Sequence, residues 1–196
     1  MTDNDSALFL AEMADVTPLQ QNHVMQSTRN TVDPKIQLQR RVAAQASAYL
    51  DTLVMDSALF PVIAPDELVS YKREGVQQQV FKRLRQGKYS YDTGFDLRGR
   101  KLREVRRLLI DTILGACCRE ERCILLIHGT GKTSQPYPGV IKSAVCFWLS
   151  QMAEVMAYHT ASRDDGGYGA VYVMLEKSDR QKSIAKETLR KGAMRR

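Results

Sequence analysis

The sequence contains no apolar run approaching the roughly 20 residues that a membrane-spanning helix requires, which excludes a helical anchor of that kind. Its start, Met1-Thr2-Asp3-Asn4-Asp5, is acidic and lacks the basic segment of a secretory signal, so the expected location is cytoplasmic. Cysteine is sparse and unpaired in pattern. Cys117 and Cys118 are adjacent, Cys123 and Cys146 fall in apolar stretches, and no C-x-x-C spacing appears. That excludes a disulfide framework and a finger-like zinc site, and predicts buried, reduced thiols. The chain also lacks any helix-turn-helix pattern or other base-reading element. With 43% hydrophobic and 26% charged residues over 196 positions, it has enough apolar material for one globular domain with additional segments.

Charge is present but unevenly spread. Residues 1–66 hold 4 Lys/Arg against 8 Asp/Glu, whereas residues 67–196 hold 25 against 14. A cationic second part attracts phosphate polymers by releasing their counterions, which points to DNA or RNA. Charge alone is equally consistent with an ordinary basic surface. The densest stretch, residues 72–107, carries 12 Lys/Arg with Tyr71, Phe81, Tyr89 and Tyr91 beside or among them. It reads as a backbone groove in which unpaired bases stack, with Lys72, Arg73, Lys82, Arg83, Arg85 and Arg100 as the nucleic-acid contacts. The rival reading is a solvated face with the rings packed beneath it.

Residues 1–32 read as a flexible acidic arm with one short helix. There Leu8, Phe9 and Met13 lie near one face, and a protein or ribosome partner is the expected ligand. Folding back onto the domain is the alternative. Asp33-Pro34 is a cap followed by a proline at the first helical position, opening a helical extension over residues 33–90. Its second helix runs from Val76 to Arg85 and stops at Gly87. The main domain spans residues 91–176. It begins with a short strand around Gly94–Leu97, then a helix with Leu102, Val105, Leu109, Ile113 and Ala116 at helical spacing. Cys123–Ile127 suits a strand buried on both faces. A helix over Val140–Met152 and strands over Val155–His159 and Gly169–Leu175 complete the order β-α-β-α-β-β, which predicts an α/β fold with helices on a small mixed sheet. Residues 177–196 form a basic tail, expected as a frayed helix.

The sharpest local feature is His128-Gly129-Thr130-Gly131-Lys132-Thr133, a glycine-rich turn between a buried strand and a helix. Such a turn can present backbone N–H groups to an anion. A nucleotide-binding P-loop fails by inspection, because that motif needs glycine where the chain has Leu126. A tight turn without a ligand remains the bland alternative.

Three segments in order resemble the motifs of Smr (small MutS-related) domains. Phe95-Asp96-Leu97-Arg98-Gly99 resembles their leading L-D-L-H-G motif. His128-Gly129-Thr130-Gly131 resembles H-G-x-G, and Gly166-Gly167-Tyr168-Gly169-Ala170 resembles G-G-x-G-A. Tyr71–Gln77 and Arg83–Tyr89 are similar to the segment ahead of the domain in stand-alone bacterial Smr proteins. The resemblance implies a two-layer α+β sandwich like the C-terminal domain of translation initiation factor three, with four strands and two helices. It also implies an endonuclease, nicking DNA or acting as a ribosome-associated RNA nuclease. Asp96, Arg98 and His128 are then the catalytic candidates, and Gly129, Thr130, Gly131 and Lys132 the phosphate-binding ones. His128 is expected to transfer a proton. The turn and Lys132 would hold the phosphate, and Asp96 would orient a base or water or help hold a divalent cation such as Mg²⁺. Many Smr domains have histidine where this chain has Arg98. Arginine stays protonated and clamps phosphate, so the substitution implies slow cleavage, or binding without cleavage.

Overall fold

The computed structural model describes residues 11–12, 33–91, 93–178, 180–184 and 186–187. The arm expected before residue 33, apart from residues 11 and 12, and the end of the basic tail lie outside these. Contacts group residues 1–37 as one compact unit and residues 38–196 as another.

The first helix, α1 (Pro34–Thr52), begins at its proline, and Asp33 accepts a hydrogen bond from the Lys35 amide at 2.9 Å. A strap over residues 53–69 follows, pinned by Leu53, Phe60 and Val69, all buried. Helix α2 (Gln78–Arg85) ends as its sequence predicts. Gly87 takes φ +64°, and the Lys88 amide bonds back to the Arg83 carbonyl at 3.0 Å. Two further helices follow, α3 (Leu102–Cys118) and α4 (Val140–Gln151).

Five strands form one sheet: β1 (Ser70–Lys72), β2 (Thr93–Asp96), β3 (Cys123–Ile127), β4 (Val155–Thr160) and β5 (Ala170–Leu175). Their order is β1-β4-β5-β3-β2, antiparallel except for the β2–β3 pair. The α/β class and the β-α-β-α-β-β order of the main domain are as expected. The strand count is five and not four. The additional strand β1 comes from the extension, where Tyr71 stacks on Tyr158 of β4 with ring centroids 5.2 Å apart.

The sheet is covered on both faces, which makes three layers where two were expected. On one face the α3 stripe Val105, Leu109 and Ile113 meets Trp148 and Leu149 of α4, with Ile124, Leu126, Val171 and Val173 beneath. On the other, Phe81 and Leu84 of α2 pack on Leu125, Ala157, Ala170, Tyr172 and Met174. Strand β3 therefore has neighbours above and below, which is why its sequence is an unbroken apolar run. Strand β1 and helix α2, both from the extension, pack into this sheet. Cys123 and Cys146 are buried as predicted, but Cys118 is exposed, since it is the last residue of α3.

Candidate nucleic-acid interface

Strands β2 and β3 run parallel with Asp96 opposite Ile127, so the first two sequence motifs leave the sheet side by side. The Leu97 amide still bonds the Ile127 carbonyl at 2.8 Å, and the two chains part immediately beyond it. Asp96 and Arg98 then close on each other. Asp96 Oδ1 accepts from the Arg98 amide at 2.9 Å, and the guanidinium donates through Nε at 3.0 Å and Nη2 at 2.6 Å. This hydrogen bonding holds the Asp96 carboxyl below its usual range and raises Arg98. Both side chains remain largely in solvent, 63% exposed for Arg98 and 48% for Asp96.

The second motif turns through two left-handed glycines, Gly129 at φ +76° and Gly131 at φ +62°. A Cβ on Gly129 would also sit 3.2 Å from Arg98 Cγ, a tight contact with an exposed side chain. The amides of His128 and Gly129 are spent on the Gly169 carbonyl, at 2.9 and 2.8 Å. Two of the expected anion donors are thus used within the fold. The Gly131 carbonyl closes the following loop by accepting from Ser134 at 3.1 Å and Gly139 at 2.9 Å. Among the described residues, the Thr130, Gly131 and Lys132 amides donate to no acceptor, and the Lys132 side chain is exposed.

His128 is not where its motif suggested. Its ring is 3% exposed, and Nδ1 lies 2.7 Å from the Gly129 carbonyl. Nε2 is buried without a partner. Burial, with a smaller contribution from the Lys142 charge and against the opposing hydrogen bond to Gly129, pushes its pKa down to about 4, so the imidazole is neutral at pH 7. In that neutral form Nδ1 carries the proton toward Gly129, leaving the lone pair on Nε2. The ring expected to transfer a proton is thus enclosed by the fold, with its lone pair buried. The residue above it went unnoticed in the sequence. Lys142, 1% exposed, donates through Nζ to the carbonyls of Ala64 (3.0 Å), Pro65 (3.2 Å) and Glu67 (2.6 Å). It ties the strap to the start of α4.

The basic track divides. Lys82, Arg83 and Arg85 are exposed on α2, with Arg83 5.2 Å over the Tyr89 ring, and Lys72 and Arg100 are also exposed. Arg73 is instead consumed by the backbone, donating to Ala153 at 2.7 Å and Met152 at 3.3 Å. It clamps the α4–β4 turn. The four aromatic residues expected to stack on bases are likewise engaged. Tyr71 lies on Tyr158, Phe81 is buried, Tyr89 is under Arg83, and Tyr91 donates to Asp165 at 2.8 Å. Tyr168 alone among the described aromatic rings is exposed, and it lies in the third motif.

Among the described residues no three His, Cys, Asp or Glu side chains gather, and both Asp96 oxygens face Arg98. The arrangement offers a cationic edge with unpaired amides, suited to holding an oxyanion.

The family model of the Smr domain matches residues 95–176. The "Probable DNA endonuclease SmrA" of Escherichia coli K12 is 34% identical over 184 residues, covering 93% of this chain and 94% of that protein. The "Ribosome rescue factor SmrB" of Aliivibrio fischeri is 30% identical, covering 92% and 97%. Among solved structures, YdaL, a stand-alone small MutS-related protein from Escherichia coli, superposes with a TM-score of 0.59 at 30% identity. The match covers 67% of this chain and 99% of YdaL.

Proposed function

This chain belongs to the Smr domain family, and from that premise we propose that it grips a nucleic-acid backbone at the β2–β3 edge and cuts it as an endonuclease. One observation carries the reading. Among the described residues the Thr130, Gly131 and Lys132 amides donate to no acceptor, and the turn that carries them adjoins the exposed Arg98 at Gly129. Amides held rigidly by the fold need no reorganisation to receive a phosphate oxygen, and they stabilise the charge that grows on it as the phosphorus is attacked. Arg98 adds a planar cation, and Lys132 and Arg100 raise the local potential. His128 acts from below as a positioning residue. Its Nδ1–H holds the Gly129 carbonyl, and so fixes the turn that presents the amides.

With this imidazole enclosed in the fold, water is the nucleophile. Its oxygen bonds to phosphorus as a bridging P–O bond breaks, its proton passes to solvent, the leaving oxygen takes a proton from solvent, and turnover is slow. DNA is the proposed substrate, in keeping with the SmrA likeness. The SmrB likeness supports a second reading, RNA cleaved during ribosome rescue, and co-sedimentation with ribosomes separates the two. Both readings carry a cytoplasmic location with them, and no described helix is long and apolar enough to cross a membrane.

The test uses matched DNA and RNA oligonucleotides, titrated against salt and then resolved on denaturing gels. Affinity is expected to fall steeply as salt rises. Arg98→Ala should weaken binding to all sequences alike and slow the appearance of products. A flat salt dependence, or full affinity after Arg98→Ala, overturns the site. Intact substrate under every condition, with Mg²⁺ or EDTA, leaves a binding module and removes the nuclease.

A further inference from the structure

The third motif presents a ring that the phosphate reading leaves unused. Tyr168 stands between Gly167 and Gly169 in a short 3₁₀ turn that leads into β5. Gly169 is buried, and its carbonyl holds both the His128 and Gly129 amides. A Cβ on Gly169 would lie 3.4 Å from Gly129 Cα and 3.5 Å from the Thr130 nitrogen. The residue carrying the ring is therefore bonded, through its immediate neighbour, to the turn whose amides are free. Tyr168 is 45% exposed, whereas Tyr172 in the following strand is 1% exposed.

Packing beneath the ring is also specific. Lys142 Nζ lies over it, 6.0 Å from the centroid, and that ammonium cannot swing away because three strap carbonyls hold it. A cation over one face is attracted to the ring's negative π surface and restrains its orientation. The exposed surface is left to the solvent. An exposed aromatic residue in a soluble chain is common enough alone. Here it is supported by a buried charge, fastened to the proposed phosphate turn, and alone among the described aromatic rings in facing the solvent.

We propose that Tyr168 is a nucleobase-stacking subsite that makes this edge selective for an unpaired strand. The inference rests on the phosphate reading above, because the ring takes the base of a strand whose backbone lies on the 130–132 amides and Arg98. Bases in a duplex are stacked on one another and offer no free face. An unpaired strand offers one per nucleotide, and stacking tolerates any sequence. The subsite thus adds a preference for strand state without a base code.

The test measures binding of labelled oligothymidylate, oligouridylate, a hairpin duplex and an abasic strand of equal length. Wild type, Tyr168→Ala, Tyr168→Phe and Arg98→Ala are compared. Tyr168→Ala should lose about tenfold or more in affinity for the two unpaired strands and change little on the duplex or abasic strand. Tyr168→Phe should retain wild-type affinity, since the ring and not the hydroxyl stacks. In Tyr168→Trp, emission from the exposed indole should be quenched when oligothymidylate binds. Unchanged affinity in Tyr168→Ala alongside a loss in Arg98→Ala overturns the stacking subsite and leaves the phosphate site standing. No loss in either variant overturns both. An equal loss on the abasic strand shows that the alanine disturbed the turn and overturns the assignment to stacking, and unaltered thermal midpoints confirm that each variant is folded.

Discussion

Strands β2 and β3 end side by side, yet their polar residues meet opposite environments. Beyond β2, Asp96 and Arg98 lie in water and satisfy each other. Beyond β3, His128 is enclosed beneath Lys142, with one ring nitrogen bonded to its own neighbour's carbonyl and the other left bare. One end can change partners at little cost, because water replaces whatever a carboxylate or guanidinium gives up. The other is locked, since any rearrangement exposes or strands a buried polar group. A phosphate grip needs both: a free cation to meet the strand, and a rigid frame to aim the amides.

The most forceful way to break this contrast is to pry open the locked side. Gly139, at φ +79°, ends the loop after the turn, and a Cβ there would fall 2.6 Å from the Ile63 carbonyl of the strap. Gly139→Ala is expected to cost about 3 kcal/mol or more, read from urea unfolding, because left-handed strain adds to a backbone clash. Lys142→Met follows in size. It leaves the Ala64, Pro65 and Glu67 carbonyls without their donor and should cost about 3 kcal/mol. It also removes a charge that holds His128 down, so an NMR titration should show the His128 pKa rising from about 4. Burial is the larger cause, so the rise is partial. An unmoved value would mean that the ammonium does not act on the ring.

Acidification probes the same side without mutation. The folded value of about 4 lies below the ordinary 6.5, so the unfolded chain takes up a proton first as pH falls. The stability tied to this group is fully present above about 6.5 and is lost progressively toward 4, on the order of 3 kcal/mol in all. His128→Asn keeps a donor toward Gly129 and does not titrate, so its thermal midpoint should fall less over that window. His159, also lowered by burial, supplies a remainder of the same sign. The smallest effect on stability belongs to the open side. Asp96→Asn should leave the thermal midpoint nearly unchanged, since exposed pairs contribute little, while freeing Arg98 and tightening nucleic-acid binding. Weaker binding would mean that the carboxylate positions the guanidinium for the strand.

The elements of the main domain were legible wherever burial repeats along the chain. The α3 stripe and the apolar run of β3 declare themselves, because one face or both faces are covered at every turn. The three-residue strand β1 did not, since Ser70-Tyr71-Lys72 alternates with nothing and exists only through the edge of β4. In the site, proximity of the motifs was readable but exposure was not. Arg73 and Arg98 look alike in sequence, and their difference lies in whether carbonyls some 80 residues away come within reach.

By itself the sequence determined the order of helices and strands, the turns at Gly87 and Gly129, and the excess of cations in the second part. These follow from periodicity, backbone freedom and composition, which act over a few residues. Only the tertiary structure decided that His128 is sealed, that Lys142 and Arg73 serve the frame, and that Tyr168 faces out. Each of those outcomes depends on which distant segment covers the group, and burial sets both its charge and its reach.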